Sequence, residues 1–332
     1  MKKLINDPNR VAVESLEGMA LAHPRLIRKL DGLPAVARVD SPVTGKVTVV
    51  TGGGSGHEPL FMGYVGPGMP DASVAGNIFA APPGELIYQT TKAVHGGRGI
   101  LFVYGNYSGD VLNFDLAAEM LEEERIPVMT VRITDDVASA PPDRREERRG
   151  IAGDLFVIKA AGAKAEERVG LPELAATVAK ANDRTRSMGI ALSSCIIPAS
   201  GRPIFDLAES EMEVGMGVHG EPGVERGPLL AADEVASNLV RRLLADQPAE
   251  AGDEVAVLVN GFGATPLGEL YILFRAVSRL LGEARLSIFR SYVGNYATSL
   301  DMAGGSISLL WLDAELKRLL AAPAESPGLI QP

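Results

Sequence analysis

Short apolar runs alternate with longer stretches of helical period along most of the chain. "KVTVVTGGG" (46–54) reads as a strand that ends in a glycine turn. "GELIYQTTKAVHGG" (84–97) reads as a helix stopped by Gly96 and Gly97. "GILFVYGN" is a buried strand, "DVLNFDLAAEMLEEE" an amphipathic helix and "IPVMTVRI" another strand. The near-continuous apolar character of these strands suits a sheet covered on both faces. "GIAGDLFVIKAAGAKAEE" and "LPELAATVAKANDRTRS" follow as helices. A second alternation begins with "GIALSSCII" and "MEVGMGVHG" as strands and "LLAADEVASNLVRRLLAD" as a helix. It continues with the strand "EVAVLVNGFG", the helix "PLGELYILFRAVSRLL", the strands "RLSIFRSYVG" and "SISLLWL", and the helix "DAELKRLLAA". The pattern predicts an α/β protein of two α/β domains, each a sheet flanked by helices. The join is placed near Arg184, with an N-terminal domain over 1–183 and a C-terminal domain over 184–332. The tail "PAESPGLIQP" is expected to be loose.

Composition narrows the function classes. A length of 332 residues accommodates two domains of ordinary size. A formal net charge of −10 argues against nucleic-acid binding, which needs clustered Lys and Arg. Arg144, Arg145, Arg148 and Arg149 form a basic run, but Asp143, Glu146 and Glu147 interrupt it, so a solvated face is expected. The single cysteine, Cys195, lies in an apolar run and reads as a small core residue in a reducing cytoplasm. The N-terminal stretch is basic without an apolar run behind it, so no secretion signal is expected. No run of about 18 apolar residues predicts a membrane span.

Two of the four histidines lie in glycine-rich loops, His57 in "TGGGSGHEP" and His219 in "GMGVHGEPG". Glycine tolerates positive φ and close approach, so His219 is expected on an open loop with space around its ring. The first loop directly follows a strand, where open α/β sheets bind ligands. It lacks the dinucleotide fingerprint, the phosphate loop and the nucleophile elbow, so a plain strand-to-helix turn is the competing reading. "GNYSGD" (105–110) also follows a buried strand, and Asp110 at the helix start is expected to cap free backbone N–H groups. His23 and His95 read as structural, His95 as a cation at a helix C-terminus. No ligand pair among His57, His219 and Asp110 has the short spacing of zinc motifs, so no metal is expected.

These loops, with "GNYSGDVLNF", "RRGIAGDLFVIKAAGAKAE", "TRSMGIALSSCIIPASGRPIF", "NGFGATPLGELYI" and "VGNYATSLDMAGGSISL", make the sequence resemble the substrate-binding K subunit of the dihydroxyacetone kinase family. The resemblance runs almost end to end. It implies that His219 binds a short ketose covalently as a hemiaminal, which restricts the ligand to carbonyl compounds. It implies that His57 hydrogen-bonds the substrate and assists proton transfer, that Asp110 accepts the proton of the attacking hydroxyl, and that the Gly54 backbone contacts the substrate. It further implies a homodimer, no cofactor on this chain, and a separate helical nucleotide-binding subunit that carries ATP or ADP with Mg. With no phosphate loop of its own, the chain is expected not to phosphorylate alone.

One departure bears on the substrate. Dihydroxyacetone-specific members carry a substrate-binding lysine where this sequence has Gly105. The loss of an ammonium removes a donor and opens volume that a four-carbon ketose such as erythrulose would fill, unless Tyr107 or Lys92 refills it. A non-catalytic ketose-binding co-regulator of the same fold is the alternative reading.

Overall fold

The computed structural model describes residues 2–332. In chain order the first elements are α1 (Val11–Ala22), β1 (Ile27–Lys29), β2 (Ala35–Arg38), β3 (Thr48–Ser55), β4 (Ala72–Ile78), α2 (Gly84–Val94), β5 (Ile100–Gly105), α3 (Ser108–Glu123) and β6 (Val128–Ile133). Then come α4 (Asp154–Glu166), α5 (Leu171–Asp183), β7 (Thr185–Ala191), β8 (Glu211–Val214), β9 (Glu225–Pro228) and α6 (Ala232–Asp246). The last are β10 (Glu254–Gly261), α7 (Leu267–Glu283), β11 (Ser287–Gly294), β12 (Gly304–Trp311), α8 (Ala314–Ala321), β13 (Ala324–Ser326) and β14 (Leu329–Gln331). The chain divides into two units, each drawn from interleaved stretches. The N-terminal unit takes Lys2–Ile133, Asp154–Asn182 and Arg318–Pro332, and the C-terminal unit takes Thr134–Gly153 and Asp183–Lys317.

The N-terminal unit is built on a six-stranded sheet of order β1-β2-β4-β3-β5-β6. Its last four strands run parallel. On one face α2 and α3 pack together over Val50, Val74, Phe102 and Tyr104 through Ile87, Phe114 and Leu121. A second cluster gathers Leu16 of α1 with Ile27, Val36 and Ala75. Helix α4 lies against β3 and β5, and Ile158, Lys159 and Ala161 are all fully buried. Its Lys159 places the ammonium on the Leu319 carbonyl at 3.0 Å, which satisfies a charge that burial would otherwise make costly.

The C-terminal unit has a second six-stranded sheet, β11-β10-β12-β7-β8-β9. Only β10 and β11 are parallel; the other pairs are antiparallel. Helices α6 and α7 cover it through Leu239, Leu243, Leu273 and Val277 against Val257, Ile307 and Trp311. No helix among the described residues is long and apolar enough to cross a membrane.

Five sequence expectations need correction. "TRS" (185–187) opens β7 instead of closing a helix, and the strand expected over "MEVGMGVHG" stops at Val214. The tail is ordered: β13 and β14 pair, Leu329 is buried, and the Gln331 amide donates to the Leu320 and Ala322 carbonyls at 2.8 Å each. His95 closes α2, but burial pulls its pKa down, so it is unsuited to serve as a cation there. The basic run is only partly solvated. Arg144 is exposed, whereas Arg148 is fully buried and grips Asp246 with two N–H···O bonds of 2.5 and 3.0 Å.

Arg186 joins the same carboxylate from β7. Burial would raise the Asp246 pKa, but the two guanidiniums outweigh it and hold the carboxyl below its usual range. Asp246→Ala is therefore expected to cost about 3–5 kcal/mol, because it strands two buried cations. Urea denaturation at neutral pH checks this. A carboxyl whose folded pKa is depressed contributes stability above its unfolded pKa, near 3.9, and loses it as pH falls through the lower folded value. The gap between wild type and variant is thus expected to close on acidification.

Candidate functional site

In the N-terminal sheet the chain leaves β3 to one side for β4 and returns to the other side for β5. Strand order therefore reverses between β3 and β5, and the crevice outside the carboxyl ends of such strands is where open α/β sheets bind ligands. The strands are in parallel register, Val50 beside Phe102, so the loops that follow Ser55 and Gly105 leave side by side. Those are the loops of His57 and Asp110. The sequence placed each after a strand, and the topology makes them neighbours.

His57 is 2% exposed, and its ring stacks on Phe79 at 4.9 Å between centroids and 14° between planes. Phe79 holds φ at +57°, uncommon for a side chain with bulk. The same segment fills the space beside Gly54: a Cβ there would lie 2.7 Å from the Ala80 nitrogen. Close backbone packing alone thus requires glycine at 54. Gly109 in turn meets Ala81 at 3.4 Å from its Cβ position, so residues 79–81 wedge between the β3 loop and the start of α3.

Asp110 does not occupy the cap position expected of it. Helix α3 starts at Ser108 with Tyr107 as its N-cap, and Asp110 lies inside the first turn, 9% exposed. Its carboxylate there sits at the positive end of the helix dipole. At Gly105 a Cβ would meet Asp154 Oδ2 and Tyr107 Cε2 at 3.4 Å each, so a buried carboxylate and a ring border the position. Tyr107 therefore lines this space, while Lys92 points elsewhere and pairs with Glu124 at 2.6 Å on the surface.

His219 belongs to the C-terminal unit. It lies on the long connection of the β8–β9 hairpin, whose pairing ends at Val214 and Glu225. Gly215 and Gly220 adopt φ of +81° and +83°, which glycine reaches without steric cost. The glycines do not open room for a ligand, as the sequence suggested. A Cβ at Gly217 would lie 2.1 Å from Glu221 Oε2, and one at Gly220 would lie 2.4 Å from Ile204 Cδ1. Protein atoms fill both spaces. Ser299, fully buried, donates to the Val218 carbonyl at 2.5 Å and steadies the loop next to the histidine.

The imidazole side chain is 23% exposed, and its Nδ1 lies 3.0 Å from Glu221 Oε1. The other carboxylate oxygen accepts the His219 backbone N–H at 3.1 Å. Burial would raise the Glu221 pKa, but the hydrogen bond and charge interaction with His219, with Arg149 behind, bring it down to about 2. Arg149 is itself held by Asp136 at 2.8 and 3.0 Å and donates to the Gly215 carbonyl at 3.2 Å. Glu221, Arg149, Ser299 and Phe79 were missed in the sequence. Only Glu221 left a signal, an acid two residues after a loop histidine.

Among the described residues no group of three or more His, Cys, Asp or Glu side chains is arranged to hold a metal ion. Cys195 is buried, its sulfur 3.8 Å from Ser299 Oγ. A family model described as the Dak1 domain matches residues 17–328. The chain is 45% identical over 329 residues to the protein of Listeria innocua named PTS-dependent dihydroxyacetone kinase 2, dihydroxyacetone-binding subunit DhaK, with 98% of each covered. It is 42% identical over 332 residues to the L-erythrulose kinase of Pectobacterium atrosepticum, covering 99% of this chain and 56% of that protein. Among solved structures, the dihydroxyacetone kinase operon co-activator Dha-DhaQ matches with a TM-score of 0.90 at 31% identity, over 96% of this chain and 98% of the other.

Proposed function

The chain belongs to the Dak1 domain family, and on that premise we propose that it is the ketose-binding subunit of a dihydroxyacetone kinase-like phosphotransferase. It holds a short ketose, dihydroxyacetone or a four-carbon ketose such as erythrulose, for phosphorylation by a separate subunit. The observation that carries the reading is the emergence of the His57 and Asp110 loops side by side where strand order reverses. Open α/β sheets bind ligands outside the strand ends at such a reversal. His219 adds to the ketone carbon and forms a hemiaminal. His57, fixed by its stack on Phe79, hydrogen-bonds the substrate and assists proton transfer. Asp110 acts as general base toward the hydroxyl that attacks the phosphoryl group. The Gly54 backbone and the Gly105 position border the ligand.

In this reading the nucleotide, ATP or ADP with Mg²⁺, is carried by a helical partner subunit. The chain acts as a homodimer, and its single buried cysteine suits a reducing cytoplasm. The likeness to a co-activator supports a second reading, a ketose-sensing co-regulator. Asp110 favours the kinase, because a sensor needs no base. The test incubates the protein with dihydroxyacetone or erythrulose, reads bound ketose by intact mass, and assays phosphorylation with the nucleotide-binding subunit added. Phosphoryl transfer only in the reconstituted mixture supports the kinase reading. Ketose capture without transfer to any acceptor leaves the sensor.

Gly105 tests substrate size. The three atoms nearest a Cβ there are one Asp154 carboxylate oxygen and two Tyr107 ring carbons, at 3.4 to 3.5 Å, so a lysine is admissible with Asp154 as counter-ion. One charge-assisted hydrogen bond is worth roughly 1.5–3 kcal/mol. Wild type is expected to have a higher kcat/KM for erythrulose than for dihydroxyacetone, and Gly105→Lys to shift that ratio toward dihydroxyacetone by about tenfold. An unchanged ratio in side-by-side assays removes position 105 from specificity.

A further inference from the structure

We propose that Glu221 is the positioning residue that makes His219 a carbon nucleophile: its carboxylate fixes the imidazole as the Nδ1–H tautomer and balances the charge the ring gains on bonding a ketose. The inference rests on the covalent reading above.

Both oxygens of Glu221 are committed to His219. Oε1 faces ring Nδ1 at 3.0 Å and Oε2 accepts the backbone N–H at 3.1 Å. An ionised carboxylate only accepts hydrogen bonds, so Nδ1 carries the proton and the basic lone pair is left on Nε2. Two oxygens gripping backbone and ring at once also fix the ring's orientation. The carboxylate stays ionised despite burial, as its pKa of about 2 requires.

The surroundings are built for that carboxylate. A side chain at Gly217 would strike Glu221 Oε2 at 2.1 Å and Arg149 Nη1 at 2.6 Å. Arg149 Nη1 lies 3.8 Å from Glu221 Oε2, while its Nε and Nη2 are tied to Asp136, 1% exposed. Asp136, Arg149, Glu221 and His219 thus form one chain of alternating charge within the C-terminal unit, ending at the imidazole. The segment 134–153, which carries the first two, belongs to that unit.

The step balances as follows. Nε2 donates its lone pair to the carbonyl carbon and the Nε2–C bond forms. The C–O π pair moves to oxygen, which takes up one proton from the solvent. The product is a hemiaminal whose ring keeps Nδ1–H and bears one positive charge. Glu221 faces that charge, so the acid stabilises the adduct more than the unreacted ring.

The test has two parts. ¹⁵N NMR of histidine-labelled wild type reads the tautomer of His219 directly, without a variant. The Nδ1–H form is expected, and a dominant Nε2–H form overturns the proposal. ¹³C NMR with carbonyl-labelled dihydroxyacetone then follows the ketone carbon into the tetrahedral region in wild type, Glu221→Gln and Glu221→Asp. Glu221→Gln is expected to lower the adduct-to-ketone ratio by roughly 10- to 100-fold, the size of one charge-assisted hydrogen bond. Glu221→Asp, which keeps the charge, is expected to recover part of the loss. No adduct in wild type at any ketose concentration sinks the covalent reading itself. An adduct in wild type that persists undiminished in Glu221→Gln overturns the role of Glu221 alone.

Discussion

His219→Ala is expected to abolish covalent capture of the ketose and to leave the fold intact. The side chain is 23% exposed and its Nδ1 meets Glu221 Oε1 at 3.0 Å, so truncation at this partly exposed position is expected to cost little stability. Glu221 keeps Arg149 at 3.8 Å as a counter-ion, so no carboxylate is stranded. A ligand of so few atoms has little other binding energy to draw on. Apparent affinity is therefore expected to fall by about 10²-fold or more, with a melting temperature close to that of wild type. Intact mass and ¹³C NMR with a labelled ketose check the first expectation, and thermal unfolding the second. A persisting adduct would move the covalent site to another residue.

Asp110→Asn is expected to retain the ketose and lose turnover. The carboxylate lies in the first turn of α3 and is 9% exposed. The amide is nearly isosteric, so binding survives. As a structural group alone, Asp110 contributes an interaction with the helix dipole worth about 0.3–1 kcal/mol. As a base it contributes roughly 10²–10⁴ in rate. The two roles separate cleanly in a kinase assay reconstituted with the nucleotide-binding subunit. A drop in kcat of that size with an unchanged adduct supports the base. Normal turnover with slightly lowered stability reduces Asp110 to a helix-end charge.

The sequence alone carried the alternation of strands and helices, the two sheets and the glycine-rich loops at the ends of strands. Strand periodicity and glycine punctuation are local signals, and "KVTVVTGGGSGHEP" shows strand, turn and histidine in one stretch. The weaker elements escaped: β4, "ASVAGNI", has small and polar residues yet is mostly buried, because neighbouring strands and helices cover it. The tail was misjudged for the same reason, since its order comes from Gln331 bonding to carbonyls nine and eleven residues away.

What tertiary structure alone decided was the company each side chain keeps. Arg144 and Arg148 look alike in sequence, yet one is solvated and the other is buried on Asp246, 98 residues away. The glycines around His219 suggested open space, but the space at Gly217 belongs to Glu221 and to Arg149, whose hold on the Gly215 carbonyl spans 66 residues. The neighbouring positions of the His57 and Asp110 loops likewise follow from strand order and register. Backbone propensity and hydrophobic period act over a few residues and are written along the chain. Burial and charge pairing depend on partners brought close only by folding, so they had to be read from the fold.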